Sequence, residues 1–192
     1  MLSKRQEQII EESVRIIDEK GIQGFTIKNL SKAIGISEPA IYRHFESKFQ
    51  ILVEILDGFN NKMRHFEQQF INNNDSAIEK IEKIYQGHFA FFLENPAIIS
   101  VIFAEEIFNN DKSLYNKINE ILQINENMIL KIIGEGQING EIKNEVDKNQ
   151  ITIIVMASLR LIVKKWKLSS FAFDLKKEGQ KLFESIKILI KK

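Results

Sequence analysis

The 192-residue chain is 44% hydrophobic and 28% charged, the balance of a globular protein with one large domain or a small domain joined to a medium one. It has no cysteine, which excludes disulfides, thiolate metal sites and cysteine catalysis, and its net charge of +1 means that any nucleic-acid contact must come from a local basic surface. No apolar run approaches the roughly 20 residues of a membrane span, and the start MLSKRQEQII lacks a secretory apolar segment, so a cytoplasmic protein is expected.

Helical spacing dominates the chain and strand-like alternation is scarce. Ile10, Val14 and Ile17 fall at i, i+4 and i+7, Ser3 and Gln6 form a capping box, and Gly21 is a stop, which predicts a helix over 3–20. Thr26 is placed to cap 27–34, with an apolar stripe of Ile27, Leu30, Ala33 and Ile34 and Gly35 as a left-handed end. Ser37 is placed to cap 38–44, with Pro39 tolerated in its first turn. Ser47/Gln50 and Ser76/Glu79 repeat the start signal for helices over 48–72 and 76–94, and NNND at 72–75 reads as the turn between them. Asn95 and Pro96 fit the N-cap and first residue of a helix over 96–108. Further helices follow over 112–136, 147–167 and 174–191, with Gly134, Gly136 and Gly140 as breaks. The result is an all-α chain of about nine helices. The short helices and tight turns before residue 48 contrast with the longer helices after it, so a compact head over 1–47 and a larger helical body over 48–192 are expected.

Two short helices joined by a tight turn containing glycine have the form of a helix-turn-helix. Ala40, Ile41 and Phe45 hold the second helix in place, leaving Ser37, Glu38, Pro39, Tyr42, Arg43 and His44 on its free side. In a helix-turn-helix that side enters the DNA major groove. Between Thr26 and Lys48 the basic residues Lys28, Lys32, Arg43 and Lys48 outnumber the acidic Glu38 and Glu46.

The run FTIKNLSKAIGISEPAIYRHFESK at 25–48 resembles the DNA-binding segment of the TetR family of transcription regulators. Gly21, Phe25, Thr26, Leu30, Ala33, Gly35, Ser37, Ile41, Tyr42, His44, Phe45 and Lys48 carry the resemblance without a gap. Phe49 departs from it, since the family commonly has an acidic residue there. The resemblance implies that Thr26, Tyr42, His44 and Lys48 contact phosphates and that Ser37, Glu38, Pro39, Ala40 and Arg43 face the groove. Arg43 is then the base reader, while Glu38 either orients it or repels phosphates.

In the body, ITIIVMASLRLIVKKW at 151–166 is apolar on nearly every face and must be covered on all sides. Leu182, Phe183, Ile186, Leu189 and Ile190 give the last helix a similarly broad apolar surface. The resemblance implies a homodimer paired through these last two helices. Two heads on a twofold axis imply a palindromic double-stranded operator with half-sites roughly 34–36 Å or more apart. Arg160, inside the apolar run, calls for an interhelical or intersubunit salt bridge.

Aromatic residues crowd the middle of the chain. Tyr85, His88, Phe89, Phe92 and Phe103, with Phe66, Phe70, Met128, Ile132 and Met156, form either a ligand cavity or a solid core. The family resemblance implies an effector pocket among these helices, and an apolar or amphipathic small molecule as its occupant. Tyr85, His88, Glu94, Glu105, Glu106 and Arg160 are the groups available to orient a polar part. Effector identity, operator sequence and direction of regulation are not encoded in these patterns. No glycine-rich phosphate loop, HExxH or nucleophile elbow is present, and His44, His65 and His88 lie far apart. No catalytic residue, metal ligand or cofactor is therefore expected. Two functions stand: a ligand-released repressor, and a constitutive DNA-binding or nucleoid-associated dimer without an effector pocket.

Overall fold

The computed structural model describes residues 2–72, 74–104 and 111–192. Among them are nine helices: α1 (Lys4–Gly24), α2 (Ile27–Ile34), α3 (Glu38–Tyr42), α4 (Lys48–Phe70), α5 (Ala77–Glu94), α6 (Ile98–Ile102), α7 (Lys112–Ile138), α8 (Lys148–Leu168) and α9 (Leu175–Ile190). No strand occurs among the described residues, only an isolated antiparallel bridge between Ile142 and Lys191. None of these helices is long and apolar enough to cross a membrane.

Local chemistry sets most boundaries. Ser3 Oγ accepts from the Gln6 amide at 3.3 Å and Gln6 Oε1 accepts from the Ser3 amide at 3.0 Å, closing the expected capping box. Gly21 takes φ 67°, ψ 173°, so α1 breaks where a stop was expected and then adds one more turn to Gly24. At the start of α4, Ser47 Oγ caps the Gln50 amide at 3.2 Å, while Gln50 Oε1 accepts from the Glu46 amide at 2.6 Å. Helix initiation therefore survives the Phe49 departure. Ser76 and Glu79 cap α5 reciprocally.

Four local expectations are corrected. Ser37 occupies the N-cap position of α3 but its hydroxyl makes no cap bond. Ala33 is exposed, and the buried fourth position of α2 is Ser31, whose hydroxyl donates to the Lys28 carbonyl at 3.0 Å. The Asn95–Pro96 pair forms a turn in which both carbonyls accept amides (from Ile98 and Ile99), and α6 begins two residues later than expected, at Ile98. The stretch expected to carry that helix to 108, with Glu105 and Glu106, lies outside the described residues. Arg160 is exposed on α8 rather than buried.

The chain resolves into two compact units, the first comprising residues 1–61 and 95–120, the second residues 62–94 and 121–192. In the first, α1 packs on both α2 and α6, and α2 packs on α3. Ile9, Ile16, Ile17, Phe25, Leu30, Ile41 and Phe45 are buried there. In the second unit α5, α8 and α9 pack mutually. Tyr85 lies at its centre, its ring 5.5 Å from Phe183 and 5.8 Å from Phe89 and its hydroxyl donating to the Val155 carbonyl at 2.6 Å. The C-terminus is clipped to the loop after α7 by Lys143 N–H to the Ile190 carbonyl at 2.9 Å and Lys192 N–H to the Glu141 carbonyl at 3.1 Å.

Candidate nucleic-acid interface and apolar groove

The turn between α2 and α3 is tight because Gly35 adopts φ 77°, ψ 33°, a left-handed conformation that costs a side-chain-bearing residue about 1–2 kcal/mol. Its amide and that of Ile36 both donate to the Ser31 carbonyl, at 2.9 and 3.0 Å. Ile41 and Phe45, both buried, then fix the orientation of α3. Gln6 Nε2 donates to the His44 carbonyl at 3.2 Å and ties the end of that segment to the start of α1.

Ser37, Glu38, Pro39, Tyr42 and Arg43 are consequently exposed, with Ala40, His44 and Lys48 half-buried at the edges. Tyr42 is 51% exposed. Helix α3 itself ends at Tyr42, two residues short of the expected 44, but Arg43, His44 and Phe45 continue as turns through bonds to the Pro39 and Ile41 carbonyls. Thr26 caps α2, its Oγ1 accepting from the Asn29 amide at 3.1 Å, which leaves its hydroxyl proton available to a phosphate oxygen. Lys48 opens α4, where ammonium and helix N-terminus can meet one anion. The surface presents donors, which suits contact with a polyanion.

In the second unit an open groove of about 1250 Å³ lies along α5 and α9 beside the C-terminal end of α4. Phe66, Phe70, Phe89, Ala90 and Leu93 form its apolar surface, and Gln86, Glu94, Lys176, Lys177 and Gln180 are among its polar residues. The Phe66 and Phe70 rings stack with centroids 4.6 Å apart. A methyl group added at Gly87 would stand 2.3 Å from the Phe66 ring, and one at Gly179 would stand 2.2 Å from the Phe89 ring. Each glycine thus lets an aromatic ring lie directly against a helix backbone.

Of the residues expected to line an effector cavity, the groove gathers Phe66, Phe70 and Phe89. Tyr85, His88, Phe92, Met128, Ile132 and Met156 do not line it, and Phe103 belongs to the first unit. His88 Nδ1–H donates to the Ile84 carbonyl at 2.9 Å, and burial holds its imidazole below the ordinary range. Glu67, on α4 next to Phe66, is pushed up to about 7 by burial, against the opposing pull of Arg64. No group of acidic or histidine side chains among the described residues has the arrangement of a metal site.

The model described as "Bacterial regulatory proteins, tetR family" matches residues 9–55, and that described as "YsiA-like protein, C-terminal region" matches residues 59–190. The chain belongs to the TetR family. It is a DNA-binding transcriptional regulator of that family.

The chain is similar to the fatty acid metabolism regulator protein of Bacillus subtilis (strain 168), with 28% identity over 88% of this chain and 86% of the relative. It is also similar to the nucleoid occlusion factor SlmA of Vibrio atlanticus, with 20% identity over 90% of this chain and 88% of the relative. Among solved structures it resembles the transcriptional regulator FadR from Bacillus subtilis in complex with stearoyl-CoA, with a TM-score of 0.79 and 26% identity over 94% of this chain and 96% of that one.

Sequence reasoning did not single out Lys176, Lys177, Leu93, Gly87 or Gly179. A glycine within an otherwise helical pattern signals close backbone approach, and Gly87 and Gly179 carried that signal. The lysines read only as solvated helix positions.

Proposed function

We propose that the protein is a cytoplasmic homodimeric repressor, with residues 1–47 as the DNA-reading head and 48–192 as the effector-binding and dimerising body. The single observation that carries the DNA reading is the helix-turn-helix held by left-handed Gly35, with Tyr42 and Arg43 projecting from it. Thr26, Tyr42, His44 and Lys48 contact phosphates, which position the protein without reading sequence. Ser37, Glu38, Pro39, Ala40 and Arg43 line the major groove, with the Arg43 guanidinium suited to the paired acceptors of guanine. The protein has no catalytic role in this reading.

Pairing through α8 and α9 is supported by the apolar residues these helices leave exposed. Ile154, Leu161 and Leu168 recur every seven residues on the side of α8 opposite its buried Val155 and Val163, and α9 adds Ile188 and Leu189. A face this apolar is costly in water and suits a self-complementary twofold contact.

The effector in this reading is a long-chain acyl-CoA. Support comes from the relative named for fatty acid metabolism and from the FadR structure holding stearoyl-CoA. An acyl-CoA that binds the DNA-free state more tightly than the DNA-bound state lowers operator affinity by the same factor. The test is titration of stearoyl-CoA into the protein bound to its preferred duplex. Release is expected. Unchanged DNA occupancy under saturating ligand would favour the second reading, a DNA-binding dimer without an effector, which the likeness to a nucleoid occlusion factor keeps in view.

A further inference from the structure

We propose that the groove along α5 and α9 is where the acyl-CoA binds, its chain on Phe66, Phe70, Phe89 and Leu93 and its phosphates on Lys176 and Lys177. This rests on the acyl-CoA reading and adds a location and a division of labour between two kinds of residue.

Size comes first. The groove, about 1250 Å³ and open along its length, has room for both a long chain and a bulky headgroup. Its floor is apolar and left to water: Phe70 is 52% exposed and Leu93 43% exposed. Burying such side chains stabilises a complex by about 25 cal/mol per Å² of apolar surface removed from water. The floor is also preorganised, because Gly87 and Gly179 seat the Phe66 and Phe89 rings against helix backbones.

Charge selects the head. Lys181 is held by Glu178 at 2.7 Å, and Glu184 is held by Lys187 at 3.3 Å. The Asp174 carboxylate is engaged as the N-cap of α9, accepting from the Lys177 amide at 2.9 Å. Lys176 and Lys177 have no ion-pair partner among the described residues and stand in the first turn of α9 after the N-cap Asp174, and Glu94 is the remaining acid of the groove. An apolar trough with two available ammonium groups at one helix start matches an amphiphile whose polar end carries several negative charges. No residue of α8 lines the groove, nor do Ile188 and Leu189, so the proposed pairing face leaves it open.

The experiment is equilibrium binding of stearoyl-CoA, stearate and coenzyme A to the full-length protein. It compares the wild type with the Lys176→Ala/Lys177→Ala double variant and with Phe70→Asp, thermal melts confirming that each is folded. The double variant is expected to bind stearoyl-CoA about ten-fold more weakly and stearate within about three-fold of wild type, since only the former presents phosphates to both lysines. Phe70→Asp is expected to weaken both acyl ligands and to leave the weak binding of coenzyme A unchanged. Stearoyl-CoA binding equally to the wild type and both variants would overturn the location and leave the acyl-CoA reading intact. Failure of stearoyl-CoA to bind the wild type, in protein that still binds DNA, would overturn the effector reading and this inference with it.

Discussion

Arg43, Tyr42 and Lys48 project from one small segment, yet in the proposed complex they perform different work. Lys48→Ala removes a phosphate contact and is expected to weaken binding to every duplex, with the salt-dependence slope falling by about one. Arg43→Ala is expected to cost about 1–3 kcal/mol on the preferred duplex and to relax preference at one base position. Binding of Arg43→Ala to a panel of single-base variants of the preferred duplex checks this, and unchanged discrimination would remove Arg43 as a base reader. In the second unit, Glu67 supplies a pH signature. Its folded value, raised to about 7 by burial, means that the native state holds a proton that the unfolded chain loses near 4.5. This stabilisation is fully present below about 4.5 and is lost as pH rises through about 7. Glu67→Gln is expected to flatten that part of the slope, so the melting temperature of wild type minus variant falls between pH 5 and 7.5. A constant difference would contradict the shift.

At the scale of the helix, the boundaries legible in sequence were those written in side-chain chemistry. Ser3/Gln6, Thr26, Ser47 and Ser76/Glu79 each supply a hydroxyl or amide that satisfies a free helix-end group, and each stands where that chemistry put it. Ser37 has the right residue type and position but makes no cap bond, because a hydroxyl can equally face solvent and sequence does not record which. Ser31 is not legible as a stripe position, because a buried serine can satisfy its hydroxyl on its own helix, here at the Lys28 carbonyl, and so occupy an apolar stripe. The groove was less legible still, since its shape depends on which aromatic rings a distant glycine admits. Helix α8 states its own prediction: Leu161, 59% exposed, sits midway along the seven-residue stripe. Leu161→Glu is expected to convert the dimer to monomer in sedimentation equilibrium with helix content unchanged. A dimer that persists would place pairing elsewhere.

For the molecule as a whole, a net charge of +1 and a DNA-binding function coexist because the basic residues that matter are few and local. Family membership could be read from residues 25–48, where nearly every position has a reason: Gly35 for the left-handed turn, Ile41 and Phe45 for burial, Tyr42 and Arg43 for projection. The body offers no such density of constraint. Many apolar sequences fill a helical core, so core composition does not specify an effector. Whether the protein is a dimer that reads DNA sequence is decided by selection of the purified protein against random duplexes, followed by binding to the winner at graded salt. The expected result is enrichment of a palindrome whose affinity falls steeply as salt rises. Salt-sensitive binding with no enriched sequence would contradict it.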